Sequence, residues 1–224
     1  MAKEINTAGH AEDNRFDPVL LAIMANRMEA VCREMTNTML LAARSSVIGM
    51  ARDFSCAVIT SENDILAVAE GFPIHVWGMN IQTESMCDLH PDFKEGDAFL
   101  HNDPYLGNTH AADHTIIVPV FYDDEYFFSV GIKAHQADIG NSMPTTYMAP
   151  AADVYHEGAL IFPCVQVQSD YTDNEDIMRM CKRRIRVPDQ WYGDYLAAVG
   201  AARIGERSLK NFVEKYGKQT VRDF

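Results

Sequence analysis

The sequence predicts an α+β fold with a long N-terminal helix, then mainly antiparallel β-hairpins, then a helical C-terminal part. Two observations support this class. The spacing of apolar residues changes from three or four positions to strand-like runs after about residue 50, and it returns to helical spacing from Asp173 onwards. The strand-like runs in between are joined by short polar turns, which favours antiparallel pairing.

Length and charge limit what such a fold can do. At 224 residues, 47% of them hydrophobic and 23% charged, the chain is long enough to bury a sizeable core. We expect one domain over residues 16–224, preceded over residues 1–15 by a mobile arm with few apolar anchors. The net charge of −13 would repel a phosphate backbone, which argues against nucleic acid as a partner.

The composition also argues against a membrane or secreted protein. No apolar run approaches the roughly 18 residues that a membrane span needs. The start, MAKEINTAGHAEDNRFD, lacks the basic and apolar regions of a signal peptide. The five cysteines include no C-x-x-C pair that would indicate a zinc knuckle or a redox couple. We therefore predict a cytoplasmic protein without membrane contact.

The first helix is predicted to begin at Asp17, which is suited to an N-cap, with Pro18 at the first helical position. It is expected to end near residues 44–46. Its apolar residues, which recur at spacings of three and four, are Leu21, Met24, Met28, Val31, Met35 and Met39. A methionine stripe of this kind favours core packing over the alternative of a binding groove.

Two hairpins are predicted after this helix. The first covers residues 53–70, where DFSCAVIT and ILAVAE flank the turn SEND. GFPIHVWGM then leads into a helix that is expected to end near Leu89, and AFLHN is the next strand. The second hairpin consists of HTIIVPVFY and YFFSVGIKAH, joined by the acidic turn DDE.

The C-terminal part is predicted to begin with a long ordered loop. Residues 140–163 are rich in Gly, Pro and small residues, and loops of this length commonly carry function. From Asp173 we expect two or three helices, separated by RVPD and by Gly200. The basic run KRRIR at 182–186 favours a solvated helix face or a subunit contact.

Ligand-type residues cluster at the open end of the second hairpin. His110 and Asp113 lie in the loop entering its first strand, and His135 lies just past its second strand. Because an antiparallel hairpin brings these ends together, the three side chains can meet. Two imidazoles and a carboxylate suit Zn²⁺, Mn²⁺ or Fe²⁺ with open coordination positions, as in a catalytic site. The alternative is that they are ordinary polar loop residues that cap turns.

Two neighbouring residues have the types expected around a metal site. A ligating histidine usually passes its other N–H to a carboxylate or a carbonyl, which makes Asp138 a candidate support for one of the histidines. His114 is a candidate for the same supporting role, or for proton transfer near neutral pH.

The longer motifs resemble the hydantoinase B/oxoprolinase family. The resemblance is carried by GDAFLHNDPYLGNTHAADHTIIVPVF, AHQADIGNSMPTTY and DVYHEGALIFP, and upstream by DFSCAVITSENDILAVAEGFPIHVWGM. It runs from about Phe16 to the C-terminus, in the family's order. Within the family, NTHAADH, ADIGNSMPTTY, EGALIFPCVQVQ and VPDQWYGDY look closest to the metal-bearing subunits of ATP-dependent ketone carboxylases, the acetone and acetophenone carboxylases.

The resemblance implies specific site residues. The family's metal ligands fall on His110, Asp113 and His135. In hydrolytic relatives of the caprolactamase type a further aspartate ligand falls on Asp53, for which a turn or helix cap is the alternative. His75 in PIHVWGM and Glu157 in HEGAL lie in shared blocks; they are candidates for lining the active site with catalytic roles, or else structural polar residues.

The resemblance also implies a function: a subunit or fragment of an ATP-dependent ketone carboxylase that joins a phosphorylated ketone enol with activated bicarbonate at a divalent metal. ATP and Mg²⁺ would bind a hydantoinase A-like partner, in keeping with the lack of a G-x-x-x-x-G-K-[ST] motif here. Alternatives are an amide-ring hydrolase subunit of the hydantoinase or lactamase type, or a noncatalytic structural subunit. Since such subunits are usually over twice this length, we expect a hetero-oligomer in which another chain supplies the remaining hydantoinase B-like part.

Overall fold

The computed structural model describes residues 17–69 and 71–224. The arm predicted over residues 1–15 lies outside the described residues, as does position 70 at the end of the first predicted hairpin. Within the described ranges, no helix is long and apolar enough to cross a membrane.

The helices lie mainly at the two ends of the chain. They are α1 (Pro18–Ala42), α2 (Ser46–Gly49), α3 (Pro73–Val76), α4 (Met79–Leu89), α5 (Val154–Glu157), α6 (Glu175–Arg184), α7 (Pro188–Tyr216) and α8 (Lys218–Asp223).

The strands of the described residues form one sheet in the order β2-β1-β5-β4-β3-β6-β7, and every neighbouring pair is antiparallel. They are β1 (Phe54–Thr60), β2 (Ile65–Val68), β3 (Ala98–His101), β4 (Asp113–Tyr122), β5 (Glu125–His135), β6 (Val165–Ser169) and β7 (Thr172–Asp173).

Side-chain alternation gives the sheet two different faces. One face packs against α1 and α7 and forms the main core, in which Ile116 and Val118 of β4 meet Val130 and Ile132 of β5. On the other face, α3 and α4 cover β1, and Met79 packs against Ala57 and Ile59 in a separate small cluster. The second face therefore leaves room for polar side chains next to a short helical cover.

The predicted fold class, the first helix and both hairpins are confirmed. Within α1, Met24, Met28, Val31, Met35 and Met39 are buried as expected of core residues. Leu21, however, is 42% exposed, so the stripe begins one turn later than its spacing indicated.

The C-terminal part differs from the prediction in two respects. Gly200 does not separate helices, because α7 continues through it and ends at Gly217, whose φ is 84°. A glycine in a helix interior costs only about 1 kcal/mol, and burial of neighbours such as Val199 and Ala201 outweighs that cost. Strands β6 and β7 were not predicted, because VQVQS is short and only partly buried and pairs at the edge with β3.

Candidate metal centre

The open end of the β4–β5 hairpin brings the predicted ligands together. Asp113 and His135 are directly opposite each other in the register, so their side chains project from the same face of the sheet. Asp113 Oδ1 lies 2.9 Å from His135 Nδ1. His110 comes from the preceding loop, and its Nε2 lies 3.5 Å from Asp113 Oδ2.

These three side chains are spaced for a shared ion. Ligand atoms of His110, Asp113 and His135 all lie within 4.8 Å of one another. Donors bound to one Zn²⁺ at bond lengths of about 2.1 Å lie about 3 to 4 Å apart, so the separations are close to what a common ion requires. Asp113 and His135 are buried, whereas the His110 side chain is 43% exposed, so the cluster has one side open to a substrate.

Asp53 and His75 extend the cluster toward β1 and α3. His75 Nε2 lies 3.3 Å from Asp53 Oδ1 and 3.6 Å from Asp113 Oδ2, between the two carboxylates. The backbone of Asp53 is also fixed, because its carbonyl accepts a hydrogen bond of 3.0 Å from His135 N. The structure therefore places both of these predicted site residues next to the three proposed ligands.

Burial and charge set the protonation of the cluster. Burial lowers the pKa of His110 and of His75, although the negative charge of Asp113 opposes the shift. For Asp113, burial alone would raise the pKa, but the close contact with His135, the electrostatic interaction with His110 and the hydrogen bond from Thr109 bring the pKa below its ordinary value. Neutral imidazoles beside an ionised carboxylate are the forms in which these groups bind metals.

The hydrogen bonds of His135 provide a test of whether the site suits a cation. Thr146 Oγ1 donates to the carbonyl of Gln136 at 2.5 Å, so it accepts from His135 Nε2–H, which is 2.6 Å away. With the hydrogen on Nε2, the lone pair on Nδ1 points at Asp113 Oδ1. Two acceptors at 2.9 Å repel each other unless a proton or a metal ion lies between them, so the geometry fits a bound cation.

His114 lies on the opposite face of the sheet from this cluster. It follows Asp113 in β4, and successive side chains of a strand project to opposite faces. Its Nδ1 accepts a hydrogen bond of 3.3 Å from Trp191 Nε1, its ring packs edge-on against Phe162, and burial lowers its pKa to about 3. The structure therefore places His114 in the core as a neutral residue, away from the position that a proton-transfer role would need.

Asp138 and Glu157 are near the site but are bonded elsewhere. Asp138 accepts from the guanidinium of Arg186 at 2.9 Å and from Gly140 N at 2.9 Å, so it anchors its loop and does not support a histidine ligand. Glu157 Oε1 accepts from Met148 N at 3.2 Å, and its charge acts on His110.

Two threonines that sequence reasoning missed take part in the site. Thr109 donates to Asp113 Oδ2. Thr146, next to His135, has the role of supporting a histidine that was predicted for Asp138. The only local signal for Thr109 is its position four residues before Asp113. Thr146 lies in the loop predicted over 140–163. That loop was expected to carry function, and its hydroxyl residues could have been considered as candidates for supporting a histidine.

Thr146 gives a direct test of this arrangement. Replacing it with valine removes the hydroxyl that fixes the ring of His135, and we expect divalent-metal affinity to fall by about 10- to 100-fold. Isothermal titration of metal-depleted protein would measure this. Thr146→Ser, which keeps the hydroxyl, should bind nearly as the wild type. Thr145→Val is the matched control, because the Thr145 hydroxyl donates to Tyr147 O instead; equal weakening in the control would contradict the assigned role.

The sheet and the cluster together define a class of protein: an α+β protein with two histidines and an aspartate held at the end of a β-hairpin in an arrangement suited to a divalent metal ion. The chain belongs to the hydantoinase B/oxoprolinase family, whose model matches residues 17–224. This confirms the resemblance drawn from the motifs.

Three similar proteins carry the name of an enzyme. The ATP-dependent caprolactamase of Pseudomonas jessenii has a similar structure, with a TM-score of 0.87 and 32% identity over 94% of this chain and 36% of that chain. A proposed D-/L-hydantoinase component from Pseudomonas sp. (strain NS671) is 34% identical over 95% of this chain and 37% of its own. Nucleotide-free acetone carboxylase has a TM-score of 0.86 over 91% of this chain and 27% of that one, but at 22% identity this likeness concerns the fold alone.

The chain spans little more than a third of the length of the caprolactamase and hydantoinase relatives it matches. Among these relatives, the caprolactamase protein is itself one subunit, named beta. The similarity therefore assigns the chain to the hydantoinase B/oxoprolinase family, and the reaction of the whole protein is a separate question.

Proposed function

We propose that this chain is the metal-binding part of an ATP-dependent ketone carboxylase complex, with a hydantoinase A-like partner that binds ATP and Mg²⁺. The observation that supports the metal site is the close grouping of Asp113 Oδ1, His135 Nδ1 and His110, whose ligand atoms all lie within 4.8 Å of one another. Asp53 is proposed as the further ligand because the family resemblance implies it, and His75 Nε2 contacts both its carboxylate and that of Asp113. The choice of carboxylation comes from the motif resemblance to ketone carboxylases.

A bound divalent ion would supply Lewis acidity toward a carbonyl or enolate oxygen. The residues around it would divide the remaining work. His110, the exposed member of the cluster, faces the side from which a substrate would approach, and the ring of Tyr147 lies 5.6 Å from it as an apolar wall. His75 is only 3% exposed, so we propose that it holds two carboxylates in place and exchanges protons only with them. Glu157 is the remaining candidate for proton transfer.

An amide-ring hydrolase is the second candidate, and a specific observation favours it. The relatives with 32–34% identity carry the names of a caprolactamase and a proposed hydantoinase, whereas the acetone carboxylase is less similar, at 22%. Both reactions need a carbonyl compound that is activated in an ATP-dependent complex, so the same cluster serves either. The chemistry differs in whether bicarbonate carbon enters the product.

The test is to isolate the native complex by copurification, identify its subunits and measure its metal content and products together. We expect about one Mn²⁺, Zn²⁺ or Fe²⁺ per chain, and ATP consumption that depends on both bicarbonate and a ketone. Ring opening of a lactam or hydantoin without incorporation of labelled bicarbonate would contradict the carboxylase proposal and support the hydrolase. If the complex contains no bound metal and His110→Ala does not change its activity, the chain has only a structural role.

A further inference from the structure

Asn108 lies two positions before His110 in the loop between β3 and β4, and it is 8% exposed. The two hydrogens of its side-chain Nδ2 are shared among three backbone carbonyl oxygens, those of Asn102 at 3.1 Å, His110 at 2.6 Å and Asp113 at 2.8 Å. Two of these carbonyls belong to proposed metal ligands. A single amide group therefore ties the backbone of both ligands to the start of their loop.

The orientation of this amide is fixed from outside the loop by α4. Thr115 Oγ1 donates to Gln82 Oε1 at 3.1 Å, so Gln82 Nε2 is a donor, and it lies 3.1 Å from Asn108 Oδ1. Asn108 Oδ1 is therefore the acceptor and Nδ2 faces the three carbonyls. A flipped amide would place an oxygen against three other acceptors and would also lose the bond from Gln82.

The same contacts show that this asparagine does more than fill space in the core. Gln82 is fully buried, as is Thr115 behind it, so the network that orients Asn108 is shielded from water. Hydrogen bonds inside such a network resist displacement, because a buried partner that is left unpaired cannot turn to water instead. The backbone at His110 and Asp113 is consequently held in one conformation.

We propose that Asn108 is a positioning residue for the metal site, whose amide holds the turn that directs His110 and Asp113 toward His135. The inference rests on the proposed function, since it assumes that these side chains bind a divalent ion. If Asn108 only stabilised the loop, its loss would lower the stability of the fold and leave the metal affinity and the ligand geometry of the folded protein unchanged.

The experiment uses the full chain, isolated with the proteins that copurify with it, depleted of metal and titrated with Mn²⁺ alone. For Asn108→Ala we expect the Kd for Mn²⁺ to rise about 10- to 100-fold and the electron paramagnetic resonance spectrum of bound Mn²⁺ to change. The matched control is Asn211→Ala, at an exposed position of α7. It should have the wild-type Kd for Mn²⁺ and the wild-type electron paramagnetic resonance spectrum.

The outcomes separate the two proposals. If the wild type binds no Mn²⁺, the proposed metal function fails and the positioning role fails with it. If the wild type binds Mn²⁺ and a folded Asn108→Ala protein has the same Kd and spectrum, only the positioning role is overturned. Should Asn108→Ala not fold, Gln82→Met removes the group that orients Asn108 without touching any ligand carbonyl; a several-fold rise in Kd supports the inference, and an unchanged Kd refutes it.

Discussion

Replacing Asp113 with asparagine is expected to remove the metal and to abolish activity of the assembled complex, with metal affinity and turnover each falling by about 100-fold or more. Asp113 is the central group of the cluster, since both of its oxygens face imidazole nitrogens: Oδ1 that of His135, and Oδ2 those of His110 and His75. Asparagine keeps the shape but loses the charge, and its amide nitrogen would direct hydrogens at one of these partners. Metal content by mass spectrometry and steady-state assays of the complex would measure the effect.

The matched control for this variant lies at the other end of the same hairpin. Asp124 is in the exposed turn between β4 and β5, with φ of 60°, a conformation that asparagine also tolerates. Asp124→Asn changes the net charge equally and should leave metal content and turnover as in the wild type. Retention of full metal and activity in Asp113→Asn would contradict the assignment of Asp113 as a ligand.

A second large effect is expected at Gly78, where replacement by alanine should destabilise the fold by about 3 kcal/mol. Gly78 has φ of 81°, which L side chains rarely adopt, and an added Cβ would lie 2.0 Å from the carbonyl oxygen of Gly107. Because the obstacle is backbone, it cannot turn aside as a side chain could. Gly107 belongs to the loop that carries His110, so relief of the clash would also move the site. Urea unfolding would give the free-energy change, and metal titration would report the displacement of the site.

Gly200 supplies the control for Gly78. It lies in the interior of α7, and nothing lies within 4 Å of where its Cβ would be. Gly200→Ala is expected to stabilise the protein by about 0.5–1 kcal/mol, since alanine is the better helix former. If the two substitutions shifted the unfolding midpoint alike, the close approach of Gly78 and Gly107 would not limit stability.

How far the site follows from the sequence depends on how local each contact is. Asp113 and His135 could be paired in advance, because the turn and the alternation of the hairpin fix which residues face each other. The same alternation excludes His114 from the site. It follows Asp113 in β4, so its side chain projects to the opposite face of the sheet. By contrast, the bond between Asp138 and Arg186 joins residues 48 positions apart and has no periodic signal. Asp53 depended on the family resemblance for the same reason.

The fold shows a parallel division between local and distant information. Helix α1 and both hairpins were predictable, since periodicity and turn residues act over a few positions. The persistence of α7 through Gly200 was not, because burial of its flanking residues against other elements outweighs the local preference of glycine. Strands β6 and β7 likewise adopt strand structure because they pair at the edge of the sheet, beside β3.

The three proposed ligands lie within residues 110–135, so only a short stretch of chain separates them. A loop of this length closes with a small entropic cost, and hairpins form on a microsecond scale. The packing of α1 on α7, which joins the two ends of the chain, requires a much longer loop to close. The contact between Asp113 and His135 therefore needs only a short loop to close, whereas the helical layer over the sheet needs both ends of the chain to be in place.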